Sequence, residues 1–276
     1  MDFETLMFEI KKRKGGLLFW TAGFVFMLFI YIFISSKEFS FLIILSSITQ
    51  MLGFLIVVWK LYYYKSSSGI SLNTVVSYLV IISSRLLSTI FYSGYLPSDE
   101  AGDWFYQLTE IITLVCLIIL VIMINNSYRD TYNIEFDTIY WGYLAIPCLG
   151  LALLIHTNLN KNVLTDASWT FSMYLETVAI YPQIDLFVKK KGQIESFTGH
   201  YVALQGLSRL FSLIFWWYTY EELVSATSDS GYSLFPQYCG YLIILSQVAQ
   251  LIIMIDYYYH YFKGIIKGEN VDLGGI

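Results

Sequence analysis

The sequence predicts an all-α, polytopic membrane helical bundle, and three observations predict it. Hydrophobic residues make up 57% of the 276 and charged residues only 13%, whereas about a quarter of a soluble domain is charged. Eight apolar runs reach the roughly 20 residues that a bilayer crossing needs. A stretch with an arginine inside an apolar run, SRLLS at Ser84–Ser88, returns 124 residues later as SRLFS at Ser208–Ser212. The bundle is therefore expected to contain an internal repeat.

The eight runs are residues 17–36, 40–61, 73–95, 104–125, 138–156, 167–188, 200–219 and 234–262. The first follows the basic tetrad Lys11–Lys14. Its length, and the lack of a small-residue cleavage site after it, predict a retained anchor rather than a signal peptide. Lysine and arginine placement orients the rest. With a cytosolic N-terminus, the cytosolic segments hold Lys11, Lys12, Arg13, Lys14, Lys60, Lys65, Arg129, Lys189, Lys190, Lys191, Lys263 and Lys267, and the opposite side holds only Lys37 and Lys161. Eight spans return the C-terminus to the cytosol. The sequon Asn125-Asn126-Ser127 falls on that side and should stay unmodified. Tyrosine runs such as Tyr62–Tyr64 and Tyr257–Tyr259 read as an interfacial belt.

At the same offset Lys65 meets Lys189, Ile70 meets Ile194 and Thr74 meets Thr198. Four spans separate the copies, so they run parallel. Such repeats place a binding site near the midplane between the halves. Arg85 and Arg209 would then occupy equivalent positions and face one central cavity. The acids within spans are Glu110, Glu176 and Asp256, with Asp166 and Asp185 near the ends of the sixth. Buried ions need partners. One reading is internal pairing, for example Arg209 with Glu176, as structural glue. The other is a polar cavity for a ligand. Helical spacing puts Trp169, Met173 and Glu176 on one face and Arg209, Ser212 and Trp216 on another. A face mixing a cation, a hydroxyl and an indole suits a charged ligand, and arginine can grip a carboxylate with two parallel bonds.

Several classes are excluded. Cys116, Cys148 and Cys239 read as small buried hydrophobes, and His156, His200 and His260 share no ligand spacing. No phosphate-loop, dinucleotide, zinc-protease or hydrolase motif occurs. No metal, no cofactor and no nucleic-acid partner is expected. An enzyme is not expected either, because no nucleophile–base constellation appears.

At WKLYYYKSSSGIS (Trp59–Ser71), Arg85, SWTFSMYLETVAIYPQ (Ser168–Gln183), ESFTGHYVALQGLSR (Glu195–Arg209) and Asp256 with the YYYHYFK that follows it, the chain resembles the KDEL receptor family, over about residues 40–268. These receptors retrieve escaped proteins of the endoplasmic reticulum. The resemblance implies a seven-helix core of the PQ-loop and SWEET sugar-transporter type, built from two parallel triple-helix repeats. Residues 1–36 would add a cytosolic N-terminus and an extra helix. Residues 37–276 would form the seven-helix domain with a short cytosolic tail. The PCLGLALLIH of the fifth span (Pro147–His156) and the extra first span resemble an extended branch of the family.

The resemblance further implies a multi-pass protein of the endoplasmic reticulum and Golgi that binds the C-terminal peptide of luminal proteins in a lumen-facing cavity, tightly at acidic pH. It implies that Arg85 holds the peptide carboxylate, that Asp166 and Trp169 line the pocket, and that Glu176 and Arg209 form the network beneath. Ligand-binding residues are expected to be Arg85, Asp166, Trp169, Arg209 and Trp216, with Glu176, Ser88, Ser212 and Gln50 in the polar network. The chain departs from the family pattern at Ile43, Leu86, Phe215 and Thr219, at Ser88, Ser208 and Ser212, and at Gln50, where the family has a histidine thought to sense pH. The carboxylate anchor is kept, and the cations that read acidic ligand side chains are not. The family's tail implies a retrograde vesicle coat as partner, and Glu269-Asn270 stands where the family has a lysine pair. Two other functions fit the same fold: a small-solute transporter, and a membrane scaffold whose buried ions only pair internally.

Overall fold

The computed structural model describes residues 41–96, 100–191, 193–227, 238–267 and 271–272, with a few positions between 18 and 25 and Phe235. Its helices are α1 (Phe41–Tyr64), α2 (Leu72–Thr89), α3 (Glu100–Ile122), α4 (Trp141–Leu154), α5 (Val163–Val178), α6 (Tyr181–Lys190), α7 (Ser196–Thr227) and α8 (Cys239–Lys267). α1, α2, residues 103–127 and α8 are each long and apolar enough to cross a membrane. α7 has 32 residues and reads as less apolar because Gln205, Ser208, Arg209 and Ser212 lie along it. All four are buried, so the polarity is turned away from lipid. The protein is a polytopic helical membrane bundle.

The expected first span falls largely outside the described residues. Within it, Trp20 meets α8, its indole N–H donating to the Tyr261 hydroxyl at 3.1 Å. The sixth expected span, 167–188, forms as two helices, and Pro182 explains the break. It has no N–H to give the Val178 carbonyl, and its ring crowds the preceding turn. The chain bridges the gap with Gln183 and Ile184 N–H donating to the Ile180 carbonyl at 3.1 and 3.2 Å. α5 also starts earlier than expected, because the Asn162 side chain caps it by accepting from the N–H of Leu164 and Thr165.

The packing obeys a two-fold exchange. α1 lies against α7 and α3, and α5 lies against α2 and α8. α2 packs on α3, and α7 on α8. Exchanging α1–α2–α3 with α5/α6–α7–α8 maps this list onto itself. α4, with Pro147 inside its 14 residues, stands outside the exchange and leans on α5. Small and hydroxylated residues let α1 and α7 come close. The hydroxyls of Ser46 and Ser208 each donate to the other residue's carbonyl at 2.8 Å.

At the lysine-rich end, side chains from both halves tie down the α1–α2 loop. Gln183 accepts from the Ser71 N–H at 2.9 Å and donates to the Gly69 carbonyl at 2.8 Å. Lys60 reaches the Ser68 carbonyl at 2.7 Å and the Thr198 hydroxyl at 2.9 Å. A two-residue strand, Gln193–Ile194, pairs antiparallel with Val271–Asp272, so the C-terminal tail docks at the same end.

Gly206 marks the tightest point between α7 and α8. A Cβ there would lie 2.3 Å from the Tyr258 hydroxyl and 2.9 Å from the Met254 methyl, and Tyr258 is itself held on the Ala203 carbonyl. Gly206→Val should lower stability in detergent by about 1–3 kcal/mol, the usual cost of overpacking. Gly150→Ala, where a Cβ meets nothing within 4 Å, should leave the unfolding temperature unchanged.

Candidate functional site

Five helices each send one polar side chain to the centre of the bundle. They are Gln50 from α1, Arg85 from α2, Glu110 from α3, Glu176 from α5 and Arg209 from α7, all of them at most 4% exposed. Glu176 is the hub. One of its oxygens accepts from Nη2 of Arg85 and, at 2.6 Å, from Nη1 of Arg209. The other accepts from the Gln50 amide at 2.5 Å. Arg85 also reaches Glu110 through Nη1, at a longer 3.3 Å, and Glu110 takes a further bond from the Ser47 hydroxyl at 3.1 Å. Two cations thus face two acids, which is what burial of charge requires. The repeated arginines are both served by one glutamate.

Beside this cluster, toward the end opposite the lysines, lies the pocket expected between the halves. Arg85, Arg209, Ser46, Ser47, Ser212, Tyr106, Trp169 and Trp216 are among its lining residues. It is nearly shut, with about 10 Å³ of room, close to the space of one water. Of the two readings of the buried ions, the pairing of Arg209 with Glu176 is observed, and the cavity between the halves is present but nearly closed: the arginines converge on a carboxylate, and aromatic rings close the space above them. Tyr95 stacks on Trp169 with ring centres 4.1 Å apart, and Trp216 meets Trp169 edge-on at 5.2 Å. The Trp216 indole N–H is buried and makes no hydrogen bond with any described residue.

The sequence-predicted residues divide accordingly. Arg85, Trp169, Arg209, Ser212 and Trp216 line the pocket, Glu176 binds both arginines at its base, and Gln50 donates to Glu176. Asp166 and Ser88 belong elsewhere. Asp166 is fully buried; it accepts from the Tyr95 hydroxyl and from the backbone N–H of Asn160 at 3.0 Å and Asn162 at 2.9 Å. Ser88 accepts from the Asn160 amide at 2.9 Å. Both pin the loop between α4 and α5, and through Tyr95 that loop holds the lid. Gly94 shows how closely the lid sits on this loop: a Cβ there would lie 2.7 Å from the Leu159 carbonyl carbon. Asp256 stays on the surface beside His260 at 3.8 Å. Glu110, Tyr106 and Tyr95 were missed as site residues. Glu110 carried a signal, being an acid within a span, while Tyr95 enters from a connecting loop whose path no helical period reveals.

Fold and site together define the class: a multi-pass membrane bundle built from a duplicated three-helix unit, with a compensated ion cluster at its centre beneath an aromatic-capped pocket. A family profile described as ER lumen protein retaining receptor matches residues 66–219. The chain is 28% identical to ER lumen protein-retaining receptor 3 of Xenopus tropicalis over 228 residues, covering 82% of this chain and 94% of that protein. It is 28% identical to the ER lumen protein-retaining receptor of Entamoeba histolytica over 225 residues, with 82% and 94% covered. With ER lumen protein-retaining receptor 2 of Homo sapiens it shares 28% over 232 residues, covering 83% and 95%. The chain belongs to the ER lumen protein-retaining receptor family.

Asp166→Ala should leave the part-buried N–H groups of Asn160 and Asn162 without their acceptor and the Tyr95 hydroxyl with Thr157 alone, at about 1–3 kcal/mol for each donor left unmet. The unfolding temperature should fall, and acrylamide should quench tryptophan fluorescence more strongly as Tyr95 leaves Trp169. Asp256→Ala, at a side chain 58% exposed, should change neither reading.

Proposed function

We propose that the protein is a receptor for the free C-terminal carboxylate of luminal proteins, working between the Golgi and the endoplasmic reticulum, with the lysine-rich end in the cytosol and the aromatic-capped pocket facing the lumen. The observation that carries this is the pair of buried guanidinium groups, Arg85 and Arg209, on the wall of one pocket beside an unused indole donor. Membership of the retaining-receptor family and the excess of lysine at one end support it.

The bonds suggest how a ligand enters. Movement of the Tyr95 segment uncovers Trp169 and Trp216. The incoming carboxylate takes over the weakest bond of the cluster, the 3.3 Å contact between Arg85 and Glu110, while Glu176 keeps Arg209. The Trp216 N–H is then placed to donate to a peptide carbonyl. Arginine suits the anchor because its fork meets both carboxylate oxygens. A solute pathway across the bundle fits less well. Between the pocket and the lysine-rich end, Phe54, Tyr78 and Tyr201 are fully buried and pack ring on ring, at 5.1 and 5.4 Å.

Gln50 sets the expected pH response. Its amide donates to Glu176 whatever the pH, whereas a histidine would need a proton to donate from both nitrogens. Free-acid KDEL-like peptides should bind and amidated ones should not. Arg85→Gln should weaken binding by about tenfold to a hundredfold, the worth of a charge-assisted bond. Affinity should differ less than about threefold between pH about 5.5 and about 7.4. Equal binding of amidated peptide would refute the receptor reading. A steep pH profile would refute the role given to Gln50 alone.

A further inference from the structure

We propose a second site at the lysine-rich end, one that binds a phosphomonoester between the α1–α2 loop and the α6–α7 loop. A cavity of about 400 Å³ lies there, within the usual size range of ligand pockets. Among the described residues its wall holds Lys60, Lys190 and Lys191 against one carboxylate, Glu195. Lys60 is only 2% exposed; its ammonium sits 3.0 Å from Glu195, whose side chain is 41% exposed. Lys190 is exposed and crosses the mouth of the cavity, its ammonium 2.7 Å from the Ser68 hydroxyl. Three cations against one acid leave two positive charges, and a phosphomonoester carries close to two negative charges at neutral pH.

Gln183 and Lys60 tie down the same α1–α2 loop, the neutral amide through Ser71 and Gly69 and the ammonium through Ser68.

Depth points to the source of the phosphate. Exposed Trp59, Tyr62 and Tyr63 lie at the same end of α1, at the level where aromatic belts meet lipid headgroups. The chemistry fits the phosphomonoester of a phosphorylated inositol headgroup, and a soluble phosphorylated compound would satisfy the same groups.

The test uses the full chain in phosphatidylcholine nanodiscs doped with phosphatidylinositol 4-phosphate, or with phosphatidylserine at equal charge, and reads retained lipid by native mass spectrometry. Soluble inositol 1,4-bisphosphate and inorganic phosphate form a competing arm. The phosphoinositide should be retained at least about tenfold over phosphatidylserine, and Lys190→Gln with Lys191→Gln should remove that advantage, since each lysine near a membrane surface contributes about 1 kcal/mol. Both lysines are exposed, so the fold should survive. Lys263→Gln with Lys267→Gln, which changes the same charge elsewhere at this end, should have no effect, and Glu195→Gln should strengthen retention. Displacement by the soluble bisphosphate supports the site and assigns its source to solution. Equal retention of phosphatidylserine, an equal loss in the Lys263/Lys267 variant, or no binding of any probe would overturn the proposal.

Discussion

One carboxylate, that of Glu176, holds the two halves of the bundle together. It receives Arg85 from the first repeat and Arg209 from the second, and Gln50 completes its coordination. Without it Arg209 would lose its acid partner and Arg85 would keep only the longer contact with Glu110, and a buried charge left unpaired costs several kcal/mol. The duplication brought a cation from each half to the same depth, and a single acid on α5 compensates both. Everything nearby answers to that arrangement. Glu110 takes the remaining arm of Arg85, the serines of α1 and α7 let the helices approach, and the indoles roof the cluster.

The same arrangement connects stability to recognition. A pocket whose cations are already paired is stable when empty, and a carboxylate that takes Arg85 from Glu110 meets a guanidinium already stripped of water. Exchange costs less than desolvating a free arginine, because the desolvation occurred on folding. The lid follows this logic at one remove. Tyr95 stacks on Trp169 and donates its hydroxyl to Asp166, so the loops at this end are bonded to the roof of the pocket. At the other end, the tied loops and the docked tail keep the bundle closed.

Much of this was legible in the sequence. Apolar run length located the helices, because lipid demands it of every crossing. The SRLLS and SRLFS pair disclosed the duplication and both arginines, since a costly residue is seldom placed twice without cause. Gln50, Glu176, Trp169, Ser212 and Trp216 were found by helical spacing or by resemblance to the family. The break at Pro182 was hidden within an apolar run, although the proline itself is a stop signal. The bonds by which Asp166 and Ser88 hold Asn160 and Asn162 were not legible, because helical periodicity says nothing about a loop's course. The closure of the pocket could not be read at all. It depends on a tyrosine stacking on a tryptophan 74 positions away in the chain.

The central role of Glu176 is tested most directly by a double-mutant cycle on thermal unfolding, using Glu176→Gln, Arg209→Gln and both together. The shared-carboxylate account predicts that the double variant recovers much of the loss, since removing the pair together leaves no uncompensated charge, with a coupling of about 1–3 kcal/mol. Losses that simply add would show that the arginine and the glutamate do not depend on each other, and would contradict the account.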